Sequence, residues 1–358
     1  MNISKLTAKL EKSFVREKIM RAIRDYFYSE NFREVETPLL VPAVIPESYL
    51  ESFKTTLLTR NRKKKTMFLT SSPEASMKKL LAAGIGNCFE ITKSFRNTET
   101  GSNLHNPEFT ILEWYRIPSS YTDIMKDCEK LILHIHQSLS NNQSTINNQQ
   151  LTINYQGNSI DLSLPWPRLS VDEALKMYAR VSLNDLTYTS KTNMQDVFSL
   201  AKISHVAKKK GYDVDRKNSW EQVFNQIFLN EVEKNLALLG APIFIYDYPL
   251  PLAALAKVKK EDPRLAQRFE LYIAGLELGD CYDESTDTDY LTERYKRELS
   301  EIKRLGKTRV KVDKEFLAAM AHIKIPYSGI AVGVDRLCML FADTARIQDV
   351  LLFPVQLS

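Results

Sequence analysis

The chain has 358 residues, 44 % hydrophobic and 26 % charged, with 49 Lys and Arg against 44 Asp and Glu for a net charge of +5. That composition can bury a large core and excludes a disordered or collagen-like chain, and the length fits one large domain with insertions. The positive balance is mild and spread along the chain, with no basic tail that would mark tight charge-driven binding of nucleic acid.

In chain order, Phe14, Ile19, Ile23 and Phe27 fall at helical spacing and predict a helix over Phe14–Tyr28, followed by an extended segment from Phe32 to Pro38. Residues 47–70 alternate polar and apolar about the run Arg60–Lys65, which predicts a hairpin with a basic tip. Strands over Phe89–Phe95 and Phe109–Tyr115 flank a polar loop and predict an antiparallel pair, then Tyr121–Ser138 reads as a helix. The Asn- and Gln-rich stretch near 139–160 reads as a surface loop or short hairpin, and 170–236 as a mainly helical insertion. Strands follow over Pro242–Tyr248 and Glu270–Leu278, and a last strand over 329–334 leads into a helix near Asp335. Strands in runs and helices gathered elsewhere predict an α+β fold with an antiparallel sheet flanked by helices.

Cys88, Cys128, Cys281 and Cys338 are scattered without a CxxC pair, so no zinc site is expected and the thiols read as reduced. His134 and His136 alternate on a predicted helix and cannot share one face as a metal pair. The charged amino terminus lacks the apolar centre of a signal peptide, and no stretch is long and apolar enough to span a bilayer, so a soluble cytoplasmic protein is expected. The runs Arg60–Lys65 and Lys208–Lys210 read as solvated faces, and Met77 and Met339 as core.

Two distant segments carry the chemistry: SFRNTETGSNLHNPEFTILEWYR at 94–116 and GIAVGVDRLCMLFADTARIQDVLLFP at 329–354. Each sets an arginine, Arg96 or Arg336, beside apolar strand or helix sequence. A guanidinium is planar, forked and always charged, so it holds phosphate or carboxylate bidentately. Neither GxxxxGK[ST] nor GxGxxG occurs, so a nucleotide would be held by strands and side chains rather than by a glycine loop. The expectation is an ATP-dependent carboxylate-activating enzyme, in which fixed cations await charge developing at the α-phosphate.

These residues resemble class II aminoacyl-tRNA synthetases. Phe95-Arg96-Asn97 with His105-Asn106-Pro107-Glu108-Phe109 resembles motif 2, Gly333-Val334-Asp335-Arg336 resembles motif 3, and Phe32 to Pro38 resembles motif 1, which in that family lies at a dimer interface. The resemblance covers roughly 14–356, and Ser72-Pro73-Glu74, HNPEFTILEWY and Gly275-Leu276-Glu277-Leu278 through Glu284 make the lysyl branch the nearest. Lysyl-tRNA synthetases carry an anticodon-binding barrel before motif 1, whereas here the motif 1-like segment lies within the first 40 residues. That shape resembles the elongation factor P lysine ligases, which attach (R)-β-lysine to a lysine of elongation factor P. Ala331, where lysyl-tRNA synthetases usually have glycine, points the same way, and a methyl group is worth roughly 1–3 kcal/mol of discrimination between lysine isomers.

The resemblance implies a class II catalytic fold over 1–358, a homodimer, ATP with Mg2+, and lysine or β-lysine as substrate. It implies elongation factor P as acceptor, with a minimal synthetase acting on tRNA, or a non-catalytic regulatory module, as alternatives. Arg96 would bridge the amino-acid carboxylate and the α-phosphate, while Phe109 and Arg336 sandwich adenine. Glu99, His105, Asn106, Leu278 and Gly333 would complete the nucleotide site, and Glu277 and Glu284 would hold magnesium. Ser72, Glu74, Tyr115, Asp280, Tyr282, Glu284 and Ala331 would contact the diamino acid. Two departures stand out: Thr98-Glu99 in place of the usual Arg-x-Glu spacing, and Gly279-Asp280-Cys281 in place of Ala-Asn-Gly.

Overall fold

No glycine or proline interrupts Ile3–Ser29, and the computed structural model, which describes residues 3–140, 151–189, 194–215 and 217–355, shows it as one helix. The helix thus begins earlier than its apolar spacing predicts, because its first turns carry polar residues. Asn31 ends it in the left-handed region at φ +61°, a conformation asparagine tolerates. Ile19, Ile23 and Phe27 are fully buried, and the Phe27 ring stacks on Phe89 at 4.7 Å and lies 5.2 Å from Trp114.

Phe89 and Trp114 belong to the predicted antiparallel pair, Cys88–Phe95 with Glu108–Arg116, in register from Cys88 opposite Tyr115 to Phe95 opposite Glu108. Arg33–Glu34 adds parallel to the first strand, and Ser328–Gly333 adds antiparallel to the second. This sheet lies in a unit formed by Met1–Asn148 with Ser285–Ser358. The same unit holds the three-stranded sheet Leu40–Val41, Lys64–Leu69, Lys54–Leu58, whose basic tip is the one expected. It also holds the helices Glu74–Ala82, Tyr121–Leu139, Thr288–Arg304 and Val334–Phe341.

The second unit is Gln149–Glu284, broader than the helical insertion because it takes strands with it. Arg168–Ser170 pairs parallel to Ile243–Pro249, which runs antiparallel to Leu265–Ile273, itself antiparallel to Leu276–Asp283. Short helices between Val171 and Leu236 bury Leu175, Trp220, Phe224 and Phe228 against Ile243 and Tyr272. Of the Asn- and Gln-rich stretch, 141–150 lies outside the described residues. The part beyond it is a hairpin, Thr152–Tyr155 with Asn158–Asp161, turned by Gln156 and Gly157 at positive φ.

The predicted strand Glu270–Leu278 is instead the junction of two strands. The chain reverses at Ala274 (φ +52°) and Gly275 (φ +77°), a two-residue turn that an apolar run conceals in the sequence. Glycine is required there twice over, since an added Cβ would also lie 2.6 Å from that of Ala237. Among the described residues, no helix is long and apolar enough to cross a membrane.

Candidate active site

Side chains alternate along a strand, and residues opposite each other in an antiparallel ladder share a face. Trp114 and Phe89, paired, face the first helix; Phe109, Ile111, Glu113 and Tyr115 therefore occupy the other face of Glu108–Arg116. The neighbouring strand sets Gly333 opposite Ile111, Ala331 opposite Glu113 and Gly329 opposite Tyr115 on that same face. Gly329 is there for space: a Cβ would lie 2.2 Å from Tyr115 Cε1.

The two predicted arginines converge at one end of this face. Arg96 lies over the Phe109 ring, 5.1 Å from its centroid, and donates to Glu99 Oε1 at 3.3 Å. Glu99 Oε2 is 3.9 Å from His105 Nε2, and that nitrogen is 2.9 Å from Arg336 Nη2. Ser102 Oγ, 3.0 Å from His105 Nδ1, orients the imidazole. Arg96 Nε is buried and meets no acceptor among the described residues, so a permanently charged donor is left for an anion.

Arg336 is placed by its helix, Val334–Phe341, which starts at Gly333, with its stem 3.8 Å from where a Gly333 Cβ would stand. The preceding Asp335, 2 % exposed, fixes that start: it accepts from Thr110 N at 2.8 Å and from Arg16 Nη1 at 2.5 Å, while Arg16 Nη2 donates to Thr110 Oγ1. The Asn106 side chain is buried and engaged by the protein, donating to Glu108 O at 2.6 Å and accepting from Val355 N at 3.1 Å.

About 13 Å along the same face, four residues at strand rise, lies a carboxylate cluster. Glu113, 2 % exposed, accepts from Ser72 Oγ at 2.6 Å and from Tyr115 Oη at 2.5 Å. Burial, reinforced by Glu74, pushes its carboxyl well above the usual range, to about 8. Glu74 accepts from Lys78 Nζ at 2.5 Å, and the same lysine lies over the Tyr115 ring at 5.8 Å. Glu47 completes the group. Its carboxyl is partly accessible yet densely surrounded, as in a cleft wall, and accepts from Tyr49 Oη at 2.7 Å. Burial and Glu74 push it up to about 7, against the pull of Tyr49 and Arg96.

Of the residues singled out from the sequence, Ser72, Glu74, Arg96, Glu99, His105, Phe109, Tyr115, Ala331, Gly333 and Arg336 lie in the first unit, where the structure brings them onto one sheet face or its rim. Sequence reading missed Glu113 and Glu47. Glu113 was findable from strand parity with Tyr115; Glu47 lies in a loop, where no periodicity marks it.

In the second unit, Glu277 is partly exposed and Glu284 is 2 % exposed. Leu278 is buried at 2 %. Asp280 is clasped by Arg268, at 2.8 Å to Oδ1 and 2.9 Å to Oδ2, and accepts from Tyr282 Oη at 2.5 Å. Arg268 also donates to Glu270, whose carboxyl burial pushes up to about 8. An acid at 280 is thus matched by a cation rather than left bare. No group of three or more His, Cys, Asp or Glu among the described residues could cage a metal. Glu277 and Glu284 fit magnesium only as it is usually held in nucleotide sites, by one or two carboxylates with phosphate oxygens.

An anion grip and a carboxylate pocket on one strand face define a site for a molecule that is anionic at one end and cationic at the other. The model of class II tRNA synthetases (D, K and N) matches residues 4–357, and the chain belongs to that family. It is 33 % identical over 341 residues to a lysine–tRNA ligase of Pelotomaculum thermopropionicum, covering 95 % of this chain and 62 % of that protein. It is 31 % identical over 351 residues to an elongation factor P–(R)-beta-lysine ligase of Hamiltonella defensa, covering 98 % and 97 %. A protein of the same description from Buchnera aphidicola is 30 % identical over 354 residues, covering 99 % and 98 %. The chain thus spans under two-thirds of the Pelotomaculum ligase and nearly all of the other two.

Proposed function

We propose that this chain is a ligase that activates a lysine isomer with ATP and transfers it to a lysine side chain of elongation factor P. The substrate carboxylate attacks the α-phosphorus, pyrophosphate leaves, and the aminoacyl adenylate forms. An acceptor amine then attacks the carbonyl carbon, AMP leaves, and an amide forms as the amine gives up a proton. The observation that carries the activation step is the orphaned Nε of Arg96 on the strand face that also carries Glu113 and Tyr115. Arg96 holds the carboxylate and the α-phosphate together, catalysis by positioning and charge. Phe109 and Arg336 flank adenine, and Glu99 and His105 hold the two arginines in register.

Glu113, Glu74 and Tyr115 receive the ammonium groups, which a desolvated dication requires. Glu277 and Glu284 would hold magnesium, which would supply charge that neutralises a triphosphate. The (R)-β isomer is favoured by Ala331, whose methyl stands opposite Glu113. Pairing of two copies through the first helix belongs to this reading and is supported by Phe14 and Tyr28, 57 % and 53 % exposed on that helix.

Similarity to two elongation factor P–(R)-beta-lysine ligases, along 97 % and 98 % of their length, supports elongation factor P as the acceptor. Radiolabelled lysine or β-lysine, ATP and either elongation factor P or lysine tRNA test it. Label on a lysine of the protein is expected, and label on tRNA alone would move the assignment to a minimal synthetase.

A further inference from the structure

Residues 54–73 contain six basic side chains, Lys54, Arg60, Arg62, Lys63, Lys64 and Lys65, and no Asp or Glu. All six are exposed, and none makes an ion pair among the described residues. They ring a hairpin, Lys54–Leu58 with Lys64–Leu69, whose first strand is the outer one of its three-stranded sheet. Every residue of that outer strand is exposed, including Leu57 at 42 % and Leu58 at 63 %.

The ladder shows which backbone groups face outward. Phe53 O accepts from Leu69 N and Thr59 N donates to Lys63 O, so the odd-numbered residues turn inward to the partner strand. Lys54, Thr56 and Leu58 then point N–H and C=O to the open edge. Natural edges are usually blunted by lysines within the strand, by proline or by bulges. Here the strand interior reads Thr-Thr-Leu-Leu, and the charge is gathered at its ends.

We propose that this hairpin docks an acidic protein segment, which adds as an extended strand beside Lys54–Leu58 while its carboxylates meet the Arg60–Lys65 tip. Strand addition uses the backbone groups for affinity and the exposed leucines for fit. The charge supplies orientation and rate of encounter. A protein suits the surface better than single-stranded RNA, because the hairpin itself offers no aromatic ring for base stacking: Phe68 is fully buried and no other aromatic lies between Lys54 and Phe68. The docked segment lies close to the chemistry. The hairpin's second strand ends at Leu69; the next residue, Thr70, accepts from Phe95 N at 2.9 Å, next to Arg96, and leads into Ser72 and Glu74.

The inference rests on the proposed acyl transfer only in taking the docked protein as the acceptor; binding is independent of it. The probe is a labelled ten-residue peptide alternating Glu and Val, compared by fluorescence anisotropy with a Lys–Val peptide and a ten-nucleotide RNA. The Glu–Val peptide should bind the wild-type chain in a salt-dependent manner. It should bind about tenfold or more weakly to a chain in which Arg60, Arg62, Lys63, Lys64 and Lys65 are all changed to Ser, and to Thr56→Pro, which deletes one outward N–H. Amino-acid-dependent ATP–pyrophosphate exchange should stay unchanged in both, which separates failure of docking from failure of activation. Preference for RNA over the Glu–Val peptide, equal peptide binding by Thr56→Pro, or loss of exchange in both variants would overturn the proposal.

Discussion

Arg96 is the residue on which the proposed chemistry turns, since its Nε is a buried cationic donor without an acceptor among the described residues. Arg96→Ala should lower the rate of pyrophosphate exchange by about 10²–10³-fold, the usual cost of one preorganised charge donor. Arg336→Ala should act mainly on KM for ATP. Glu113 makes a pH-dependent prediction whose sign follows from its raised carboxyl. An ordinary glutamate ionises near 4.5, whereas this one stays neutral up to about 8 in the empty protein. Folding therefore favours the protonated form, and the stability this contributes below pH 4.5 is lost as pH rises through about 8. A bound ammonium favours the ionised form instead, so substrate affinity should rise with pH up to the same region. Binding at pH 7 should release about one proton, read as a dependence of calorimetric enthalpy on buffer ionisation heat. Identical enthalpies in phosphate and Tris would refute this role for Glu113.

The strand Glu108–Arg116 is the element that organises the site, carrying the aromatic partner of Arg96 at one end and the acidic pocket at the other. Its neighbours are tuned to it. Gly329→Ala should push the Tyr115 ring aside and raise KM for the amino acid while leaving that for ATP, a split that steady-state exchange kinetics would reveal. Asp335→Ala should strand Arg16 and Thr110 N, cost about 2–4 kcal/mol in a denaturant melt, and raise KM for ATP by releasing Arg336. Much of this was legible in the sequence. Strand alternation from Phe109 to Tyr115 and the HNPEF run marked the element, and local periodicity marked the first helix. The turn at Ala274-Gly275 was hidden because the residues flanking it, Leu271, Tyr272, Ile273 and Leu276, are buried and apolar, which leaves no polar punctuation. Glu113 was passed over although strand parity puts it on the face of Tyr115; its other partner, Ser72, comes to it only through the fold. The sequence read Asp280 as a contact for the substrate; its cation partner, Arg268, twelve positions away in sequence and across a hairpin, is shown by no local pattern.

At the level of the whole chain, the first unit contains both the arginine pair and the carboxylate pocket, and the second carries its own buried network around Arg268 and Glu270. Family membership explains why motifs 240 residues apart, Arg96 and Arg336, meet through Glu99 and His105. The activity proposed for this meeting point is the activation of a carboxylate with ATP. Pyrophosphate exchange with a panel of α-lysine, (R)-β-lysine and neutral amino acids, run on the wild-type chain and on Arg96→Ala, measures that directly. Exchange confined to a lysine isomer and lost in the variant is the predicted result. No exchange with any amino acid, or exchange that survives Arg96→Ala undiminished, would contradict it.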